Sequence, residues 1–144
     1  MTREVIFRGK LSHSGAWVFG SLLKIDSNYH IVTESDMYED GHHIRQESDT
    51  PTWVDSDTVG QFTGLVDTNG VKVFEGDIVE VYDFTSAYAS KYRGVVRMYR
   101  GSWCVEHEDF GTVFHPSLFF DDFADRKTKV IGNIHDNSEL LSSK

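Results

Sequence analysis

Cysteine is nearly absent from this chain and proline is scarce: its 144 residues include one Cys and two Pro. A lone Cys104 excludes an intramolecular disulfide and any zinc finger built on cysteine pairs. It lies in Ser102-Trp103-Cys104-Val105, an alternating strand pattern, and is expected as a small buried apolar side chain. A nucleophilic thiol would need a neighbouring base to lower its pKa, and the sequence does not display one. Long apolar runs are missing as well. None approaches the roughly 20 residues required to cross a bilayer. Met1-Thr2-Arg3-Glu4 leads directly into the strand-like Val5-Ile6-Phe7, without the apolar core of a signal peptide. A soluble cytoplasmic protein is expected.

Cations are in deficit. Lys and Arg number 14 against 23 Asp and Glu, a net charge of −9. The deficit is uneven, because residues 26–58 carry nine carboxylates and one cation, Arg45, and residues 105–125 carry six carboxylates and no cation. A field of that sign repels nucleic-acid phosphates, whose binding rests on Lys and Arg. Direct DNA or RNA binding is therefore disfavoured, unless it uses the small basic patches near either terminus.

Aromatic residues are plentiful: ten Phe, six Tyr and three Trp supply core material for a domain of this length. Short β-branched segments separated by turn signals predict strands. Gly15–Leu23 and His30–Thr33 form one predicted hairpin across Asp26-Ser27-Asn28. From Glu34 to Thr52 the apolar pattern lapses, which predicts an exposed acidic loop. Trp53-Val54 resumes strand character. Asp67-Thr68-Asn69-Gly70 is a hairpin signal, since Asn and Gly tolerate positive φ. Asp77–Tyr82 alternates polar and apolar residues, with Ile78 heading an inward-facing set. Gly94–Tyr99 and Ser102–Val105 make a hairpin around Arg100-Gly101. Thr85–Lys91 reads as a connection, and Phe114–Phe123 as an aromatic, acidic stretch with a helical turn opening at Pro116. Lys129–Ile134 is the last predicted strand, and Asp136 with Glu139 resembles a capping box before a short helix over Asn137–Ser142.

Candidate chemistry is sparse. His42-His43 points two rings to opposite sides of an extended chain, and Glu106-His107-Glu108-Asp109 separates His107 from both glutamates. Neither offers the HxH or HxxxH spacing that puts two metal ligands on one side. Solvated residues are the simpler assignment, and no metal or cofactor is expected. No Gly-x-Ser-x-Gly elbow and no Walker loop occurs. Asp121, Asp122 and Glu108 are the residues a carboxylate-based hydrolase would use, although adjacency alone does not create the perturbed pKa such chemistry needs. The chain is expected not to be an enzyme.

Five blocks in order carry a family resemblance: Ile6-Phe7-Arg8-Gly9-Lys10 with Gly15–Gly20; Thr58–Leu65; Asp67-Thr68-Asn69-Gly70; Phe74-Glu75-Gly76-Asp77-Ile78-Val79; and Val130–Asn137 with Glu139-Leu140-Leu141. Together they resemble the YopX family of bacteriophage and prophage proteins. Ser138 stands where the family pattern has proline. The resemblance implies a mostly β protein containing an SH3-like barrel, made in a bacterial host from a phage or prophage gene. It carries no catalytic residue or cofactor with it.

The expected fold is mainly β: an SH3-like barrel core over residues 59–144, a β-extension over 1–58 that includes the acidic loop of about 34–52, and a short C-terminal helix. The expected function is non-catalytic binding of an unidentified host or phage protein, with Phe119, Phe120, Asp121, Asp122 and Phe123 as the candidate interaction patch. Three alternatives stay open. The acidic clusters could imitate DNA toward a host DNA-binding protein; Arg93, Arg97 and Arg100 on one hairpin could bind nucleic acid; or the carboxylates named above could serve a hydrolase. Unpaired edge strands also leave self-association into a symmetric oligomer open. No membrane partner is expected.

Overall fold

The structure is a computed structural model, and it describes residues 4–33, 36–41, 43–46, 51–83, 90–107, 111–113 and 126–142. The chain divides into two compact units between Phe62 and Thr63.

The first unit is built from β1 (Phe7–Lys10), β2 (Trp17–Ile25), β3 (Asn28–Val32), β4 (Met37–Asp40), β5 (His43–Gln46), β6 (Trp53–Val54) and the first residues of β7 (Gly60–Val66). A short 3-10 turn, Ser56–Thr58, precedes β7. β2 and β3 meet across a two-residue loop, Asp26-Ser27, with Ile25 opposite Asn28. Both loop residues have positive φ (49° and 71°), the pattern of a type I′ turn that matches strand twist. The hydrogen-bonded order is β6-β3-β2-β1-β7, all antiparallel, and Ile31 and Val54 are buried between its strands. Gly9 permits that packing. A Cβ at this position would stand 3.1 Å from both the Ile31 and the Val54 side chains. Thr58 locks the turn, its Oγ1 accepting from the Lys10 N–H at 2.9 Å and donating to Asp55 O at 2.6 Å.

The expected acidic loop contains a strand pair. β4 and β5 are antiparallel around Gly41, with Met37 opposite Gln46 and Asp40 opposite His43. Gly41 supplies the positive φ (65°) that reverses the chain. The short Met-Tyr and His-Ile runs were hidden in sequence by the acidic residues around them.

The second unit contains the end of β7, β8 (Lys72–Phe74), β9 (Asp77–Asp83), β10 (Ser90–Tyr99), β11 (Ser102–His107), β12 (Gly111–Val113), β13 (Arg126–Asn133) and one helical turn, α1 (Glu139–Ser142). β8 follows β7 through the predicted turn: Asp67 N–H donates to Val71 O, Gly70 N–H donates to Asp67 O, and Gly70 has a φ of 80°. β9 to β13 form a five-stranded sheet in the order β12-β11-β10-β9-β13. β10 and β11 join through Arg100-Gly101, both at positive φ. Val79, Val81, Val96 and Val105 lie on one face of this sheet and form the core with Val73, flanked by Tyr92, Trp103 and Val130. Each fully buried Val contributes on the order of 1.5–3 kcal/mol of burial free energy.

The SH3-like barrel is a correction. Among the described residues β12 and β13 stand at opposite edges of an open sheet, and no ladder joins them. In the first unit a single bridge, Leu11 to Val54, takes the place of a closing ladder. The fold is mainly β, in open antiparallel sheets with one short C-terminal helix. Phe62, Phe74, Ile78 and Val79 are buried, whereas Leu65, Ile131 and Ile134 are half-buried. The inward set of β9 is Val79 and Val81. Ile78 heads the opposite face, although it too is fully buried.

Candidate binding face

Strand register builds the most highly charged described surface of the second unit. Directly opposed residues in an antiparallel ladder project to the same side. Tyr82 on β9 is opposite Lys91 on β10 and Lys127 on β13; Glu80 is opposite Arg93 and Lys129. Two parallel rows result, Lys91–Tyr82–Lys127 and Arg93–Glu80–Lys129. Farther along β10, Arg97 is opposite Cys104 on β11, whose neighbour on the same face, Glu106, is opposite Val95. Lys91, Arg93, Arg97, Lys127 and Lys129 therefore share a face with only Glu80 and Glu106 as described carboxylates. A net −9 chain concentrates cations here.

Glu80 is the centre of the network. It is 7% exposed, and its Oε1 accepts the Tyr82 hydroxyl while Lys91 Nζ lies 3.7 Å away. Arg93 Nε donates to Oε2 at 3.2 Å, and Arg93 Nη1 donates to the Leu140 carbonyl of α1 at 3.4 Å. The Tyr82 hydrogen bond holds the Glu80 carboxyl below its ordinary pKa; burial opposes this, and the Arg93 hydrogen bond and the charges of Lys91 and Arg93 reinforce it. The same hydrogen bond raises the Tyr82 pKa. Arg97 Nε meets Glu106 Oε2 at 2.9 Å, with both side chains about half exposed. Lys127 and Lys129 are exposed and take part in no ion pair among the described residues.

Leu141 of α1 lies beside Val95, Arg97 and Glu106, and Ile78, Val95 and Cys104 are buried. Burial first, and Glu106 second, push the Cys104 thiol above its ordinary pKa, against the opposing charge of Arg97. Cys104 is a packed apolar residue, as its strand pattern indicates.

Arg93 and Arg97 share this face, as their spacing requires, and Arg100 lies at the turn with its guanidinium 5.2 Å from the Tyr99 ring. Phe119, Phe120, Asp121, Asp122, Phe123 and Glu108 lie outside the described residues, as does His42. His107 projects away from Glu106 and packs edge-on to Tyr92 at 5.6 Å. No group of three or more His, Cys, Asp or Glu poised for a metal occurs among the described residues. Lys127 and Lys129 were missed in sequence. Their i, i+2 spacing puts them on one strand face, but only register shows that β13 lies beside β9.

The fold and face define a mainly β protein with open antiparallel sheets and a localised basic surface. The chain belongs to the YopX protein family, whose family model matches residues 6–142. Its structure is similar to the crystal structure of protein EF1440 from Enterococcus faecalis, with a TM-score of 0.61 and 29% sequence identity over 98% of this chain and 100% of that one. Comparison with curated protein sequences yields no significant match. Among the described residues no helix is long and apolar enough to cross a membrane.

Proposed function

We propose that this protein is a non-catalytic binding module that engages an acidic surface of a host or phage protein through the β9–β10–β13 face, within the cytoplasm of a phage-bearing bacterium. The observation that carries this reading is the juxtaposition of Lys91, Arg93, Lys127 and Lys129 around one buried carboxylate. Charge distribution supports a protein partner over nucleic acid. A local basic patch acts over about one Debye length, ~8 Å at physiological salt. A long polyanion also feels the net −9 of the whole chain and is repelled. Arg93 and Arg97 already hold Glu80 and Glu106, which reduces what they offer to phosphate.

Nucleic-acid binding through Arg93, Arg97 and Arg100 is the second reading, favoured by the shared face of the first two. The test uses the Lys127→Glu/Lys129→Glu variant, because neither lysine is engaged in an ion pair among the described residues. A host or phage protein retained by the wild type after nuclease treatment should be lost by the variant, without a mobility shift of labelled duplex DNA. Equal retention by both proteins would refute the basic face as the site. A DNA or RNA shift with a steep salt slope would establish the second reading instead.

A further inference from the structure

The first unit contains a cleft of about 350 Å³ beside β6, lined by Ser12, Asn28, Tyr29, Trp53, Asp55 and Ser56 among others. That volume falls within the range of small-molecule sites, about 300–1,000 Å³. We propose that this cleft is a binding site for a neutral saccharide.

The lining is specific in kind. Two aromatic residues bound it. By register Trp53 is opposite His30 and Val54 is opposite Tyr29, so Trp53 and Tyr29 occupy neighbouring rungs of the β3–β6 ladder and project to opposite faces of the sheet. Trp53 is 55% exposed. An exposed indole offers a flat apolar surface to the C–H face of a sugar ring, as other ring systems do to flat ligands.

Polar groups complete the pattern. The lining residues include Ser12, Ser56, Asn28 and Asp55, whose side chains carry hydroxyl, amide and carboxylate groups. Ser12 Oγ donates to Asp55 Oδ1 at 2.9 Å, which orients the carboxylate before any ligand arrives. The Asp55 backbone is tied as well, its N–H donating to Lys10 O at 2.9 Å. A carboxylate accepts hydrogen bonds from adjacent hydroxyls, and such charge-assisted bonds are the stronger ones. No Lys or Arg lines the cleft, while Asp55 would repel an anion. Phosphorylated and carboxylated ligands are thereby disfavoured. Hydroxyl-rich neutral ligands with one apolar ring face satisfy both halves of the lining.

The experiment is a titration of the full chain with maltotriose, cellotriose and N,N′,N″-triacetylchitotriose, followed by two-dimensional NMR of the backbone amides and the Trp53 indole N–H. Saturable shifts of Trp53, Asn28 and Ser56 with at least one of these, at a dissociation constant on the order of 1 mM or tighter, are expected. Asp55→Asn should weaken that binding about tenfold or more, and Trp53→Ala should abolish it. Should Trp53→Ala fail to fold, Asp55→Asn alone decides. Absence of saturable shifts with all three sugars would overturn the proposal, and so would binding indifferent to Asp55→Asn. Saturable shifts with inorganic phosphate in place of the sugars would overturn it as well.

Discussion

Asp67 is buried and accepts three backbone N–H groups, those of Asn69 and Val71 within its own turn and that of Val130 on β13. Thr68 adds a second tie to the same strand, donating from both N–H and Oγ1 to Thr128 O. Removing the carboxylate leaves several donors without their partner. Asp67→Ala should therefore destabilise the protein by about 2–3 kcal/mol, measured by urea denaturation, with Asp67→Asn recovering part of the loss. Glu80 makes a pH-dependent contribution. Its folded pKa lies below the ordinary 4.5, so the stabilisation is present in full above that value and is lost as pH falls through the folded pKa. Glu80→Gln should cost about 1 kcal/mol near neutrality. The gap to wild type should close below the ordinary carboxylate pKa, and a gap that persists in acid would show the charge to be unimportant. Cys104, buried and with a raised pKa, should react with a thiol reagent only as fast as the protein opens.

At the scale of elements, β13 carries an irregularity that α1 depends on. Register shifts between Val130 and Gly132, leaving Ile131 as an extra residue opposite β9. The glycine after it makes room for the following turn, because a Cβ at Gly132 would stand 2.6 Å from Asn137 Oδ1 and 2.9 Å from its Cβ. Asn137 Oδ1 accepts the Asn133 N–H, and Asn133 Oδ1 accepts from His135 and Asp136. Gly132→Ala should cost about 1–3 kcal/mol and disturb α1, visible as loss of the Asn137 and Leu140 amide protection. The β10–β11 turn offers the opposite sign. Arg100 holds a φ of 49° that Asn tolerates better, so Arg100→Asn should stabilise by about 0.5–1 kcal/mol in thermal denaturation.

For the molecule as a whole, charge is the dominant global quantity. A net −9 on 144 residues favours solubility and opposes compactness by self-repulsion. Added salt screens that repulsion and also weakens the local pairs Glu80–Arg93 and Arg97–Glu106. The exposed pair Arg97–Glu106 is worth at most about 1 kcal/mol, and the pair at buried Glu80 is screened much less, whereas the excess of carboxylates acts across the surface. The Tm should therefore rise between low and physiological salt. A fall would mean that the basic face contributes more to stability than the surrounding repulsion removes.

Local chemistry was sufficient for much of this. Asp67–Gly70, Arg100-Gly101 and Asp26-Ser27 each need backbone conformations that few residues tolerate, so the hairpins could be located without long-range information. The five ordered blocks likewise identified the family, since they follow from short segments. What failed depended on partners distant in sequence. The barrel remained open because closure is a property of which edges meet, and no residue in β12 or β13 encodes that by itself. The β4–β5 pair was obscured because short strands are stabilised by cross-strand neighbours more than by their own composition. The capping box anticipated helix from Asn137, whereas α1 begins at Glu139, after a turn organised by the Asn133 side chain. The aromatic and acidic residues 119–123 drew attention by composition, but they lie outside the described residues. Arg93 and Arg97 could be assigned to one face from spacing alone. Lys127 and Lys129 joined them only because β13 pairs with β9, and the cleft at Trp53 exists only because β6 returns to the end of β1. Side-chain alternation along a strand is decided by covalent geometry and is present in sequence; which strands lie side by side is decided by the packing of the whole chain.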